Sequence, residues 1–140
     1  MPLLHRDLSE KILEAFYQVH YELGSGFPES VYASAMEIAL TDLGVRVQRE
    51  VPVRVYFRGR LVGWFRADSV AESKIILEYK STLQATEAGE AQLLNYLRCS
   101  QLEVGLLLCF SAKATFKRLL LSNDRKQHKV PWVRRDRQTQ

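Results

Sequence analysis

The sequence is poor in cysteine and has no long apolar run, and both absences narrow the classes of protein it can belong to. Its two cysteines, Cys99 and Cys109, lie in apolar surroundings without metal-ligand spacing, so we expect reduced core thiols of a cytoplasmic protein without a disulfide. The longest apolar stretch, 104–110, falls far short of the about 20 residues of a membrane-spanning helix. The first residues turn charged at once and lack the apolar core of a signal peptide. We therefore expect no membrane partner.

Histidine and glycine are too sparse to support two common kinds of active site. His5, His20 and His128 have no nucleophile at an informative spacing, which disfavours a hydrolase of the Ser–His or Cys–His type. The Gly-Ser-Gly segment at 24–26 lies between two predicted helices and indicates a turn rather than a phosphate-binding loop. The length of 140 residues and the absence of repeats or low-complexity segments fit one compact domain.

Charge is distributed unevenly along the chain, although the formal net charge is only +4. Residues 1–45 carry seven acidic and two basic side chains, whereas residues 46–66 carry six arginines and one glutamate. Residues 67–122 are neutral, so the whole excess can be assigned to a basic tail at 123–140. Such a tail commonly contacts nucleic acid, although a solvated terminus has the same composition. We therefore divide the chain into a domain at 1–122 and a tail at 123–140.

Hydrophobic periodicity predicts two helices followed by a β-hairpin. Apolar residues recur at helical spacing over 8–23 and again over 28–44, with the glycine-rich turn between them. Period-two alternation then predicts strands at 51–57 and 61–67, joined by a tight turn. Pro52 in the first strand indicates an edge position or a strand start.

The remaining pattern predicts a buried third strand, a helix and a buried fourth strand, at 74–80, about 86–98 and 104–110. Residues 114–121 fit either a strand or a short helix. This order predicts an α/β (α+β) domain with a central mixed sheet flanked by helices.

Three charged residues stand close together in this predicted sheet. Asp68 comes directly after the second predicted strand, and Glu78 and Lys80 lie two residues apart on one face of the third. If the two strands pair, Asp68 approaches Glu78, and two carboxylates with a backbone carbonyl form a site suited to Mg²⁺ or Mn²⁺. Such a site serves phosphodiester hydrolysis, with the lysine orienting a water molecule or stabilising developing charge. The alternative is a structural ion pair of Glu78 with Lys80.

Three further polar residues have two interpretations each. Gln92 and Tyr96 project from one face of the following helix, which could bring Gln92 to the cation or phosphate and Tyr96 to the nucleic-acid backbone. The same pair also fits a helix surface with a partly buried tyrosine. Glu29 opens the second helix, where its simplest role is to complement the helix dipole.

The segment from Gly26 through Glu29 to Tyr32 resembles the motif of the GxxExxY protein family. The surrounding text agrees in order and spacing at Val19–Gly26, Arg66-Ala67-Asp68, Glu78-Tyr79-Lys80 and the Glu-Ala-Gln-Leu-Leu-Asn-Tyr-Leu segment at 90–97. The resemblance spans about residues 7–121. That family is similar to a compact branch of the PD-(D/E)XK nuclease superfamily, whose restriction-endonuclease-like core is a mixed sheet flanked by helices. Two positions depart from the pattern: Gly89 stands where relatives often carry histidine, and Ser69 where they tend to be apolar.

The resemblance implies a Mg²⁺-dependent (or Mn²⁺-dependent) nuclease acting on DNA, with RNA as the second choice of substrate. The implied site residues are Asp68 and Glu78 as metal ligands, the Tyr79 carbonyl and Glu29 as further ligands, Lys80 as the catalytic lysine, and Gln92 and Tyr96 as the helix motif. Arg54, Arg58, Arg60 and Arg66 form an expected phosphate-facing strip. The alternative function is a catalytically weak or inactive module of the same fold that binds nucleic acid or assembles into a homo-oligomer.

Overall fold

The computed structural model describes residues 3–126, which form three α-helices and a five-stranded sheet. The helices are α1 (Arg6–Leu23), α2 (Glu29–Asp42) and α3 (Thr86–Arg98). The strands are β1 (Val47–Phe57), β2 (Arg60–Ala71), β3 (Ile75–Lys80), β4 (Val104–Phe110) and β5 (Ala114–Leu120). Most of the predicted basic tail, residues 127–140, lies outside the described residues.

The sheet is mixed and has the strand order β1-β2-β3-β4-β5. β3 and β4 are parallel with α3 as their crossover, and the other neighbouring strands are antiparallel. The predicted mixed sheet flanked by helices is therefore confirmed. The segment that the sequence left undecided is the edge strand β5. β1 forms the opposite edge, where Pro52 removes no hydrogen bond from the interior of the sheet.

Helices cover both faces of the central strands. α1 and α2 pack on one face, where Phe16 and Tyr32 contact Phe110 of β4. α3 packs on the other face, with Leu93 and Leu97 against the side chains of β3 and β4. Because both faces are covered, every residue of β4 is buried, which explains its continuous apolar sequence. Among residues 3–126, Cys99 and Cys109 form no disulfide, and no helix has the length and hydropathy to cross a membrane.

The turn between α1 and α2 shows what the Gly26–Tyr32 motif does structurally. Gly26 has φ 106°, a conformation that side-chain-bearing residues rarely adopt. The buried Tyr32 hydroxyl donates to the Gly24 carbonyl at 2.6 Å and accepts from the Phe27 amide at 3.2 Å. The glycine and the tyrosine therefore close this turn and fix the start of α2.

β1 changes the face it presents at Glu50, which has φ 52°. On one side of this residue, Val47 packs against the α1–α2 core and the Arg49 guanidinium contacts side chains of α2. On the other side, Val51 and Val53 pack against the α3 cluster. Residues of one parity thus switch faces, which strict period-two alternation does not predict.

β2 differs from its prediction in a way that matters for the acidic residues. It runs on to Ala71 instead of ending at residue 67, so Asp68 lies inside the strand rather than after it. β2 pairs with β3 only from Ser69 to Ala71, and its longer remainder pairs with β1 alone. Asp68 therefore lies where the β1–β2 hairpin separates from the sheet.

Residues 123–126, which the sequence assigns to the basic tail, pack against the loop between α3 and β4. Asn123 bonds to the loop between α3 and β4 through its amide and its side chain, at 2.8 and 3.0 Å. Lys126 is buried, and its ammonium group donates to the carbonyls of Ser100 and Leu102 at 2.8 and 2.9 Å. Burial lowers the pKa of this group to about 8, so the hydrogen bonds offset an unfavourable burial of charge. The packed part of the chain therefore includes residues 123–126, beyond the boundary at residue 122 that we drew from the sequence.

A chain ending at residue 122 should be less stable than one ending at Lys126. The longer chain keeps the hydrogen bonds of Asn123 and Lys126, each worth about 0.5–1.5 kcal/mol net. After the entropy of ordering the segment, we expect the free energy of unfolding to differ by roughly 1–3 kcal/mol in urea denaturation. Equal stability of the two chains would show that this segment does not anchor the domain.

Candidate active site

The structure brings Asp68 and Glu78 together where β2 leaves β3. The last pair in their ladder is Ser69 opposite Leu77, so the register continues with Asp68 facing Glu78. The Tyr79 amide donates to Asp68 Oδ2 at 2.8 Å, which holds this carboxylate against the end of β3. Glu78 is 3% exposed and Asp68 is partly buried. Two carboxylates therefore share a site at the boundary between the core and the solvent.

The environment of Glu78 does not fully compensate a negative charge. Its Oε1 atom is buried and has no hydrogen-bond partner among the described residues. Burial, and next the charge of Asp68, raises the pKa of Glu78 to about 8, while Lys80 acts in the opposite direction. At neutral pH, a bound proton or a bound cation therefore stabilises the Asp68–Glu78 pair. Two oxygen ligands with an unpartnered buried oxygen fit a hard divalent cation.

Lys80 lies on the α3 side of the sheet, next to the acidic pair. Its Nζ is 3.7 Å from Glu78 Oε2, and its side chain is largely buried. The lysine stem passes under Gly89 of α3, where an added Cβ would lie 2.8 Å from Lys80 Cε and 3.2 Å from Cγ. The glycine at position 89 therefore makes room for the lysine, a role that its departure from the family pattern alone did not reveal.

Gln92 and Tyr96 form a connection between α3 and β2. Gln92 Nε2 donates to the Tyr96 hydroxyl at 2.6 Å, and that hydroxyl donates to the Arg66 carbonyl at 3.0 Å. Burial, followed by the charges of Glu78 and Asp68, raises the pKa of Tyr96 to about 12. The tyrosine therefore lies close to the acidic pair and attaches α3 to β2 two residues before Asp68.

These features agree with a comparison against known protein families. A family model described as PD-(D/E)XK nuclease superfamily matches residues 6–119, from α1 into β5. The chain belongs to the PD-(D/E)XK nuclease superfamily. No curated protein and no solved structure matches it.

The predicted position of Tyr96 requires a correction. The sequence predicted that it contacts the nucleic-acid backbone, but it is only 2% exposed and both hydrogen bonds of its hydroxyl are internal. Gln92, predicted to point to the cation or phosphate, directs its described hydrogen bond to Tyr96. Tyr96 is turned inward because its aromatic ring completes the apolar cluster between α3 and the sheet, and Gln92 is partly buried beside it.

The structure adds nothing in favour of Glu29 as a ligand. Glu29 is the first residue of α2, and among residues 3–126 no three His, Cys, Asp or Glu side chains are grouped closely enough to hold a metal. Its position complements the helix dipole, as the simpler interpretation had it. The ligand roles of Glu29 and of the Tyr79 carbonyl stay predictions.

The four predicted arginines do not form one strip. Arg54 and Arg66 line a groove on the hairpin together with Arg49 and Trp64, which sequence reasoning did not select. By contrast, the remaining two lie at the hairpin turn: Arg58 stacks over Phe57 at 4.8 Å, and Arg60 begins β2. The sequence spacing could have selected Trp64, because it stands two residues before Arg66 on the same predicted strand and four before Asp68.

Replacing Glu78 with Gln should stabilise the metal-free protein at alkaline pH. Because the pKa of Glu78 is raised in the folded state, that state binds more protons than the unfolded chain, and wild-type stability falls as pH rises from the usual carboxyl range through about 8. Glutamine is neutral throughout, so we expect a gain of roughly 1–3 kcal/mol at about pH 9 in EDTA, and little near pH 5.

Urea denaturation at both pH values measures this difference. The exposed Glu87 of α3 offers a control of the same residue type, Glu87→Gln, which should leave the pH dependence unchanged. If Glu78→Gln and Glu87→Gln have the same pH profile, Glu78 is not the buried, raised-pKa carboxyl described above.

Proposed function

We propose that this protein is a Mg²⁺-dependent nuclease, also served by Mn²⁺, that hydrolyses phosphodiester bonds in DNA, and that it belongs to the GxxExxY branch of its superfamily. The observation that carries the proposal is the buried, unpartnered oxygen of Glu78 beside Asp68 and Lys80. RNA is the alternative substrate. We also propose a cytoplasmic location, supported by the absence of a disulfide between Cys99 and Cys109.

In this proposal Asp68 and Glu78 hold the cation, because carboxylate oxygens are the ligands that Mg²⁺ prefers. The Tyr79 carbonyl and Glu29 are proposed as further ligands. When bound, the cation supplies a Lewis acid that polarises the scissile phosphate and lowers the pKa of a water molecule. The hydrogen bond from the Tyr79 amide keeps the Asp68 carboxylate oriented toward Glu78.

Lys80 supplies the positive charge of the proposed mechanism. Its ammonium group lies 3.7 Å from Glu78 Oε2, so it stands beside the position where a phosphate would be held. There it orients the attacking water or stabilises the charge that develops on the phosphate oxygens. Gln92 and Tyr96 act less directly, because they fix α3 against β2 next to Asp68.

A DNA-cleavage assay with and without Mg²⁺ tests the proposal. We expect the wild type to cleave DNA only with the metal, and Lys80→Met to lose this activity. A preorganised charge of this kind is worth about 100-fold or more in rate, so cleavage should fall at least that far. Lys80→Met should still show the Mg²⁺-dependent rise in melting temperature, whereas Asp68→Asn should lose it because one ligand is gone.

The exposed Lys113 offers a control substitution of the same kind, Lys113→Met, which should keep full activity. If the wild type and Lys80→Met show the same trace cleavage, the proposed nuclease function is wrong. A stability loss in Lys80→Met without any metal-dependent shift in the wild type would instead identify the Glu78–Lys80 contact as a structural ion pair.

The second candidate function is a module that binds nucleic acid or assembles with itself. The acidic layer of α1 and α2 and the arginine-rich β1–β2 hairpin carry opposite charges on one small domain, which suits head-to-tail association. Sedimentation at low and high salt measures it: salt-sensitive self-association without metal-dependent cleavage would favour this function over the nuclease.

Gly89→Ala should slow cleavage without unfolding the protein. The added methyl group overlaps Lys80 Cε, the movable end of a flexible side chain, so the ammonium group is displaced while the fold is kept. Alanine also gains about 0.5–1 kcal/mol in helix propensity, which offsets part of the crowding. We expect kcat to fall about tenfold or more, with KM for DNA little changed.

The control is Gly63→Ala on β2, where no atom lies within 4 Å of an added Cβ. It should leave kcat unchanged. If both alanine variants cleave DNA at the wild-type rate, position 89 does not control the placement of Lys80.

A further inference from the structure

The β1–β2 hairpin beyond Asp68 exposes more apolar surface than a solvated hairpin needs. Its exposed apolar side chains are Phe57, Leu61, Val62, Trp64 and Phe65. The large indole of Trp64 is 53% exposed. Over this length the hairpin pairs with no other strand of the described residues 3–126. Two of them, Leu61 and Trp64, lie on the same side of the hairpin, and grouped exposed apolar side chains are typical of a binding surface.

One side of the hairpin forms an open groove with a basic character. The groove is lined by Arg49, Pro52, Arg54, Leu61, Trp64 and Arg66, with Glu50 as its one carboxylate. Arg49 is partly neutralised by Glu37 of α2, at 3.4 Å. Arg54 and Arg66 form no ion pair with any residue in 3–126, so their charges are available to an anionic ligand.

The arrangement of Trp64 and Arg66 combines a flat apolar surface with a positive charge. The Arg66 guanidinium carbon lies 5.2 Å from the centre of the Trp64 ring. A nucleobase can stack on an exposed indole, and the neighbouring guanidinium can pair with a phosphate. Only unpaired nucleotides offer free base faces, because the bases of an intact duplex are stacked on each other.

We propose that this groove binds a single-stranded segment of DNA, with Trp64 as the residue on which a base stacks and Arg54 and Arg66 as phosphate contacts. The proposal deepens the nuclease function and rests on it for the choice of DNA. It adds Trp64, and it replaces a strip of four arginines with a groove that uses two of them.

The groove and the acidic pair are separated by a short length of β2 and lie on opposite faces of the sheet. Trp64, Arg66 and Asp68 are alternate residues of β2, so Trp64 is about 13 Å from Asp68 along the strand. At about 3.4 Å per stacked nucleotide, a base on Trp64 lies about four nucleotides from the acidic pair. The groove opens on the α2 side of the hairpin, and Asp68 lies where the hairpin changes face. A strand that leaves the groove must therefore cross to the α3 side, at the point where β2 separates from β3, to reach Glu78 and Lys80.

The experiment measures binding of a labelled oligo-dT, about a dozen nucleotides long, by fluorescence anisotropy in EDTA. Trp64→Ala should weaken this binding about tenfold, since stacking contributes about 1–3 kcal/mol per base. It should leave the affinity for a blunt duplex within about twofold, since a duplex offers no free base face. Trp64→Phe should restore most of the affinity, and Arg54→Ala should reduce the salt dependence by about 0.7 in logarithmic slope.

Phe116 provides a matched control, because it is 42% exposed on the opposite edge strand β5. Phe116→Ala should bind oligo-dT like the wild type. Equal affinities of the wild type and Trp64→Ala for oligo-dT would overturn the proposal. So would a dimer of the wild type, seen in sedimentation and broken by Trp64→Ala, because the hairpin would then be an interface between two copies.

Binding in EDTA separates this proposal from the proposed nuclease. Oligo-dT binding that depends on Trp64, in a protein that never cleaves DNA, would support the groove and contradict the nuclease. Cleavage that depends on Lys80, together with binding that ignores Trp64, would support the nuclease and overturn the groove.

Discussion

A carboxylate buried beside a second carboxylate is unfavourable in an apolar interior, and Glu78 is held in that position next to Asp68. Burial is imposed by β3, whose other residues need both faces of the sheet covered. Lys80 compensates only part of the charge, since one oxygen of Glu78 has no partner within the described chain. Packing of the core thus holds the carboxylates of Asp68 and Glu78 where a cation can bind. The energetic cost of burying Glu78 is offset by the stability of the rest of the core.

The separation of β2 from β3 leaves Asp68 uncovered and lets the β1–β2 hairpin project from the sheet. Pairing ends at Ser69, so Asp68 is not covered by a continuing sheet, and the long hairpin is free to project beyond it. The left-handed conformation of Glu50 turns the hairpin so that Arg54 and Trp64 face away from α3. One strand therefore carries both an acidic residue of the proposed site and the aromatic residue of the proposed groove.

α3 shows how packing redirects residues that look functional in the sequence. Tyr96 was predicted to face the substrate, yet its ring is needed in the cluster beneath α3, and its hydroxyl holds the Arg66 carbonyl. Gly89 stands where the resembling family often carries histidine. In the structure, this glycine permits the close approach of α3 to Lys80. A residue without a side chain thus has as clear a structural role as the polar residues around it.

The sequence by itself determined the order of the elements, the mixed sheet and the proximity of Asp68 to Glu78, because period-two and helical periodicity are local and the hairpin pairing follows from them. The tertiary structure alone decided which residues reach the solvent. It placed Tyr96 inside, packed Lys126 against the loop before β4 and grouped Trp64 with Arg54. The physical reason is that burial and changes of strand face depend on contacts between distant segments, which no local pattern records.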